Sequence, residues 1–84
     1  MPNVPPDNIA FLDVVSVNQP SQLLKGIITL TCDGKQYEAT CSFPLEPSLK
    51  EGDKLRIMHR GPTVLVRRII SGKLDRVKFN LVFW

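Results

Sequence analysis

A chain of 84 residues with a formal net charge of +3 is long enough for one small domain and too short for a long active-site cleft. Seven prolines and five glycines, without a long alanine, leucine or glutamate tract, favour strands joined by tight turns. No apolar run approaches the roughly 20 residues of a membrane helix, and the N-terminus lacks a secretory signal. The sequence therefore predicts a cytoplasmic protein with no transmembrane segment.

The N-terminus is rich in proline and poor in apolar residues. We therefore predict a flexible N-terminal arm over residues 1–8 and a single barrel domain over residues 9–84. Ile9–Val17 is rich in β-branched and apolar residues and predicts the first strand. Turn-forming residues around Pro20 end it.

Asp33 and Gly34 give the strongest local signal in the chain. They separate two apolar segments, Leu24–Cys32 and Lys35–Phe43, and a type I′ turn requires the positive φ that such a dipeptide adopts. The two-residue turn fixes the strand register. It pairs Cys32 with Lys35, Leu30 with Tyr37, Ile28 with Ala39 and Gly26 with Cys41. The two cysteines then lie about 20 Å apart, so both thiols are expected to be free.

Three further strands are predicted in the C-terminal third. Lys54–Arg60 alternates and is expected to direct both of its arginines outward. Thr63–Ile70 contains adjacent Arg67 and Arg68, which interrupt the alternation and suggest a bulge or a strand buried on both faces near its start. Arg76–Trp84 forms the last strand. Its inward residues are expected to be Val77, Phe79, Leu81 and Phe83.

About six short strands without a full helix predict an all-β fold. The expected architecture is a small antiparallel barrel, closed or partly open, of the OB or SH3-like type. A two-sheet sandwich is the second possibility, because so short a chain would bury less in it and leave more strand edge exposed.

Catalytic signatures are weak throughout. His59 is the single histidine, and no Ser/His/Asp, Cys/His or two-histidine metal set forms around it with local spacing. The glycines at positions 52, 61 and 72 stand singly in turns and form no phosphate-binding motif. The sequence predicts a protein that is not an enzyme and that needs no cofactor or metal.

Charge is distributed unevenly along the chain. Residues 1–53 carry three basic and seven acidic side chains, a balance of −4, whereas residues 54–84 carry eight basic and one acidic, a balance of +7. A concentrated positive field attracts polyanions, so we predict binding of single-stranded nucleic acid through a basic face. A solvated charged surface is the alternative. The candidate binding residues are Arg56, Arg60, Arg67, Arg68, Arg76, Lys78 and Trp84.

The last four residues are apolar and allow a second interpretation. Trp84 lies on the polar face of its strand, where it could stack on a base, pack on another subunit or cap the mouth of the barrel. A protein-interaction or self-assembly module is therefore the alternative function. A homo-oligomer would form through Leu81, Val82, Phe83 and Trp84.

Part of the sequence resembles the NfeD-like OB domain. The similar segments are Gly26–Thr40, Lys50–Ile57 and Thr63–Val66, about half of the chain. The resemblance covers a strand, a glycine turn, a Tyr-x-Ala strand and a Gly-x-x-Leu-x-Ile segment with a returning strand. Such domains accompany membrane proteins of the stomatin class, so the resemblance implies protein contacts rather than catalysis. The basic last strand and the long loop before Gly52 depart from that pattern.

In size, strand count and basic surface the chain is also similar to the small single-stranded DNA-binding proteins of filamentous phages. Those proteins are five-stranded barrels that act as dimers. The similarity implies a nucleic-acid ligand and transfers no individual residue.

Overall fold

The computed structural model describes residues 3–18, 25–42 and 49–84, and all regular structure in these ranges is β-strand. Leu24 and Phe43, which the sequence predicted as strand ends, lie outside the described residues. The strands are β1 (Phe11–Asn18), β2 (Lys25–Cys32), β3 (Lys35–Ser42), β4 (Lys54–Arg60), β5 (Val64–Ile70) and β6 (Lys73–Phe83).

The six strands form a closed barrel in the order β1-β2-β3-β6-β5-β4, and every neighbouring pair is antiparallel. Each half of the chain is a three-stranded meander, and β6 and β4 join the second meander to β3 and β1 of the first. The predicted all-β antiparallel barrel is confirmed. Within the described ranges there is no helix long and apolar enough to cross a membrane.

The first hairpin has the register that its turn predicts. Asp33 and Gly34 both have positive φ, at 51° and 78°, as a type I′ turn requires. Cys32 lies opposite Lys35 and Gly26 opposite Cys41, so the two free thiols are at opposite ends of the hairpin.

The core follows from period-two alternation on the strands. Its largest fully buried side chain is Phe79, and Leu81 on the same strand is also fully buried. Tyr37 and Phe83 meet edge to face inside the barrel, with ring centroids 6.2 Å apart. Other buried apolar side chains come from the remaining strands: Leu12, Val14, Ile28, Leu30, Leu55 and Val66.

Bulges change the alternation in the second meander. On β4, Ile57 pairs with Val66 and His59 with Leu65, so Met58 is an extra residue. An extra residue moves the following side chains to the opposite face, and Arg60 therefore shares the inner face with its partner Val64. The prediction that both arginines of β4 point outward is wrong for Arg60.

A larger irregularity lies between β5 and β6. Arg67 pairs with Lys78 and Ile69 with Leu74, so three residues of β6 face the single residue Arg68 on β5. The bulge suggested by the adjacent arginines is present, but its extra residues belong to β6.

Parts of the N-terminal segment contact the barrel, including Pro5 in the predicted arm of residues 1–8. Pro5 is buried, and the Arg60 guanidinium donates hydrogen bonds to the backbone oxygens of Pro5 and Ile9. Ile57 N also donates to Ala10 O at 2.7 Å. These bonds attach the segment to β4.

Candidate functional site

Three cations lie side by side on the outer surface of β4, β5 and β6. Arg56 is directly opposite Arg67, and Arg67 is directly opposite Lys78. Directly opposed residues on neighbouring strands have Cβ atoms about 5 Å apart, so these three side chains form one row about 10 Å long. We call Arg56, Arg67 and Lys78 the cation row.

The cation row is unfavourable for the isolated barrel. Like charges directly opposite each other on a sheet destabilise it by up to about 1 kcal/mol per pair. In the ranges that the structure describes, no carboxylate lies within 4 Å of these three cationic groups. Arg56 and Lys78 are exposed, and Arg67 is half-buried. An anionic ligand would supply the missing negative charge.

Asp75 fixes the position of Arg67 in the row. The Nε atom of Arg67 donates a hydrogen bond to the backbone oxygen of Asp75, in the β6 bulge. The carboxylate of the same residue accepts from Arg68 at 3.0 Å and from the backbone N–H of Arg76 at 2.8 Å. The bulge therefore holds the outer Arg67 and the inner Arg68 at once.

Arg68 lies inside the barrel and is 4% exposed, so it is not available to a surface ligand. It faces inward because it pairs with buried Leu55 on β4. Its guanidinium contacts Asp75, lies 3.7 Å from a carboxylate oxygen of Asp53 and sits 5.8 Å from the ring centroid of Phe79. We call Arg68, Asp53 and Asp75 the buried clamp. The prediction of Arg68 as a nucleic-acid contact is corrected accordingly.

The buried clamp has an electrostatic signature. The hydrogen bond from Arg68 is the largest influence on Asp75 and lowers the pKa of its carboxyl, while burial acts in the opposite direction and the N–H of Arg76 lowers it further. The carboxylate is therefore charged at neutral pH and holds the cation that the barrel encloses.

Of the other predicted site residues, Arg76 alone adds to the basic surface. It is exposed and lies in the β6 bulge, two positions before Lys78. Arg60 is turned to the inner face, where the N-terminal segment binds it, so it does not join the cation row.

Trp84 is 54% exposed and its backbone N–H donates to Glu38 O of β3, away from the β4 and β5 strands. The expected apolar oligomer surface is also smaller than predicted, because Leu81 and Phe83 are buried in the core. Val82 and Trp84 remain exposed.

Phe11 extends the row on its other side, and sequence reasoning did not select it. It is directly opposite Arg56 on β1 and is 46% exposed. The ammonium group of Lys54 lies 5.5 Å from its ring centroid. The order along the outer surface is therefore Phe11, Arg56, Arg67 and Lys78. The sequence marks Phe11 only as an aromatic residue at the start of a strand. Its position beside Arg56 depends on the pairing of β1 with β4, which are far apart along the chain.

The groups with potential for covalent or metal chemistry do not converge. Burial raises the pKa of Cys41 to about 12, so this thiol is protonated and unreactive at neutral pH. His59 is exposed next to the turn at Gly61. No group of three His, Cys, Asp or Glu side chains in the described part of the chain is arranged to hold a metal ion.

Comparisons with family models, with curated proteins and with solved structures find no match to this chain. The functional argument therefore depends on the geometry of the site.

Proposed function

We propose that the protein is a non-catalytic binding module for single-stranded nucleic acid, with the phosphate backbone lying on the cation row. The observation that carries this proposal is the direct cross-strand pairing of Arg56, Arg67 and Lys78. Each of them can contact a phosphate and release condensed counterions, which makes binding favourable at low salt.

The exposed aromatic ring beside the row favours a single strand over a duplex. Single-strand binding sites combine a basic track with aromatic rings on which bases stack, at about 1–3 kcal/mol per base. The ring of Phe11 is half-exposed at the end of the row. A base that displaced Lys54 from it would replace a cation–π contact of about 0.5–1 kcal/mol, so the exchange is favourable.

The charge of the row can be tested by salt-dependent anisotropy titrations with a labelled single-stranded 12-mer. The triple variant Arg56→Gln, Arg67→Gln, Lys78→Gln should lose roughly 100-fold in affinity at low salt, from three lost charge-assisted contacts. The slope of log K against log salt should become shallower by about 2, at about 0.7 per contact.

A matched control separates this local effect from net charge. Replacing the exposed Lys25, Lys35 and Lys50 by Gln removes the same three charges from other parts of the molecule. This control should bind within about threefold of the wild type with nearly the same salt slope. If both triple variants lose affinity equally, the positive charge acts non-specifically and the cation row is not the binding site.

Protein association is a second candidate, because an apolar strip lies on the outer surface of β2, β3 and β6. Ile27, Thr40 and Val82 are paired across these strands, and Trp84 lies two residues beyond. Val82 is 48% exposed. The resemblance to NfeD-like domains supports the same role. Val82→Ser with Trp84→Ser should abolish any concentration-dependent increase of mass in light scattering; a mass that stays monomeric in the wild type removes this candidate for self-assembly.

A further inference from the structure

We propose that a cavity beside the cation row binds one base of the single strand and selects bases that carry an exocyclic amino group, such as cytosine, over thymine and uracil. This inference rests on the proposed function, and it adds base selectivity to a site that is otherwise defined by charge.

The cavity has a volume of about 440 Å³, and it adjoins the row through Phe11, the cross-strand neighbour of Arg56. Small-ligand pockets have volumes of roughly 300–1,000 Å³, so one base fits. Phe11 lines it and is also the neighbour of Arg56 in the β1–β4 pairing. A nucleotide whose phosphate contacts Arg56 is therefore next to the mouth of the cavity.

The polar lining combines two carboxylates, Asp13 and Asp33, which only accept hydrogen bonds, with the amide of Asn8 and the ammonium group of Lys54, which can donate them. No described residue forms an ion pair or a hydrogen bond with either carboxylate. Asp13 on β1 and Asp33 in the hairpin turn both lie near Cys32 in the cavity wall, because their negative charges, after burial, raise the pKa of its thiol. The two carboxylates thus face a common space.

Carboxylates that accept but cannot donate discriminate between the pyrimidines. The N4 amino group of cytosine is a donor that pairs with Asp or Glu, whereas the same position of thymine or uracil is a carbonyl acceptor. A carbonyl turned toward Asp13 and Asp33 would face two acceptors without a hydrogen between them, and it would need Lys54 or Asn8 as its donor. Lys54, which also lines the cavity, can donate to the ring acceptors of cytosine.

The test compares labelled oligo(dC) and oligo(dT) of 12 nucleotides with the wild type at pH 8 and low salt. We expect oligo(dC) to bind about 5- to 10-fold more tightly. Asp13→Asn and Asp33→Asn should each reduce this ratio toward one without weakening the binding of oligo(dT), since they remove negative charge near the strand. Asn is well suited to position 33, because it tolerates the positive φ found there.

The control variant is Glu38→Gln, which removes an equal charge on β3, outside the cavity, and should keep the wild-type ratio. Equal affinity for the two oligonucleotides, with a steep salt dependence, would overturn the selectivity and leave the proposed function intact. A preference that persists in both Asp variants would also overturn it. Binding to neither oligonucleotide would overturn both proposals.

Discussion

The two three-stranded halves of the barrel share one antiparallel arrangement but differ in how charge is placed on their outer surfaces. In β1–β3 the outward pairs on the hairpin are Lys25 with Ser42, Ile27 with Thr40, Thr29 with Glu38 and Thr31 with Gln36, and none of these pairs places two cations opposite each other. In β4–β6 the outward residues form the cation row. The inner faces of both halves are mainly apolar, with Arg60 and Arg68 as inward cations of the second half, so burial of apolar side chains explains folding in each.

This difference distinguishes surface residues that stabilise the fold from surface residues that do not. Alternating threonine and apolar residues stabilise a hairpin, and the first half follows that rule. The cation row acts against stability in the same kind of sheet. Packing does not account for a surface feature that weakens the folded state, and this contrast with β2 and β3 is the basis of our proposal that the row binds a ligand.

The largest change in stability is expected for Arg68→Ala. This substitution removes the cation of the buried clamp and leaves Asp75 and Asp53 without their partner. We expect a loss of about 3 kcal/mol in the free energy of unfolding, because the substitution removes a large buried side chain together with its ion pair to Asp75 and its contact with Phe79. Urea unfolding followed by circular dichroism measures it. The exposed Arg56→Ala on the neighbouring strand should change stability by no more than about 0.5 kcal/mol; similar losses in the two variants would contradict the clamp.

A smaller loss is expected for Arg60→Ala, which releases the N-terminal segment. Its guanidinium donates to two backbone oxygens, so the substitution should cost about 2 kcal/mol. Residues 3–10 should also become sensitive to limited proteolysis, followed by mass spectrometry. Rapid cleavage of this segment in the wild type would show that Arg60 does not hold it.

Lowering the pH should reduce the stability of the protein through protonation of Asp75. The loss should be smaller than that of Arg68→Ala or Arg60→Ala, because this carboxyl is partly exposed. Its folded-state pKa is lower than the unfolded value of 3.8, so its contribution is complete above about pH 4 and is lost as the pH falls through the folded pKa. Stability curves from pH 6 to pH 2 should therefore drop more for the wild type than for Asp75→Asn. Parallel curves for the two proteins would be the contrary result.

The smallest change in stability is expected for a substitution in the cation row. Arg56→Glu places a negative charge opposite Arg67 and should raise stability by about 0.5 kcal/mol at low salt, with the gain disappearing at 1 M salt. The same variant should bind oligonucleotide more weakly. Gln36→Glu, opposite Thr31 in the first half, has no cation as its cross-strand partner and should change stability little. A loss of stability in Arg56→Glu would mean that the row is not under charge repulsion.

Local rules were sufficient to predict the first hairpin and much of the core. The Asp33-Gly34 turn fixed the register of β2 and β3, and the predicted span of β4 matches the observed one. The alternation of the last strand also placed Phe79, Leu81 and Phe83 inside. Each of these results depends on residues that are close in sequence, where the turn and the side-chain period act directly.

The site was harder to predict because it depends on extra residues and on distant partners. No sequence signal marks Met58 as the additional residue that turns Arg60 inward. Arg68 shares the inner face of Val64 and Val66, and its charge is compensated there by two carboxylates, one of them from the loop before β4. Phe11 is beside Arg56 through a pairing of strands that are far apart along the chain. Arg56, Arg67 and Lys78 were predicted as candidates, but their alignment in a row required the register of three strands.

The ladders that close the ring have a consequence for its motions. Those between β1 and β4 and between β3 and β6 contain three residue pairs each, and they are the two seams between the halves. Because partial unfolding begins where a structure has few stabilising contacts, we expect the barrel to open first at these short seams. Their backbone amides should therefore exchange hydrogen faster than those of the other strand pairs. A single-stranded nucleic acid bound from Lys78 to Phe11 would cross the β1–β4 seam and would not reach the β3–β6 seam. A bound ligand would therefore restrict opening of the first seam and leave opening of the second unchanged.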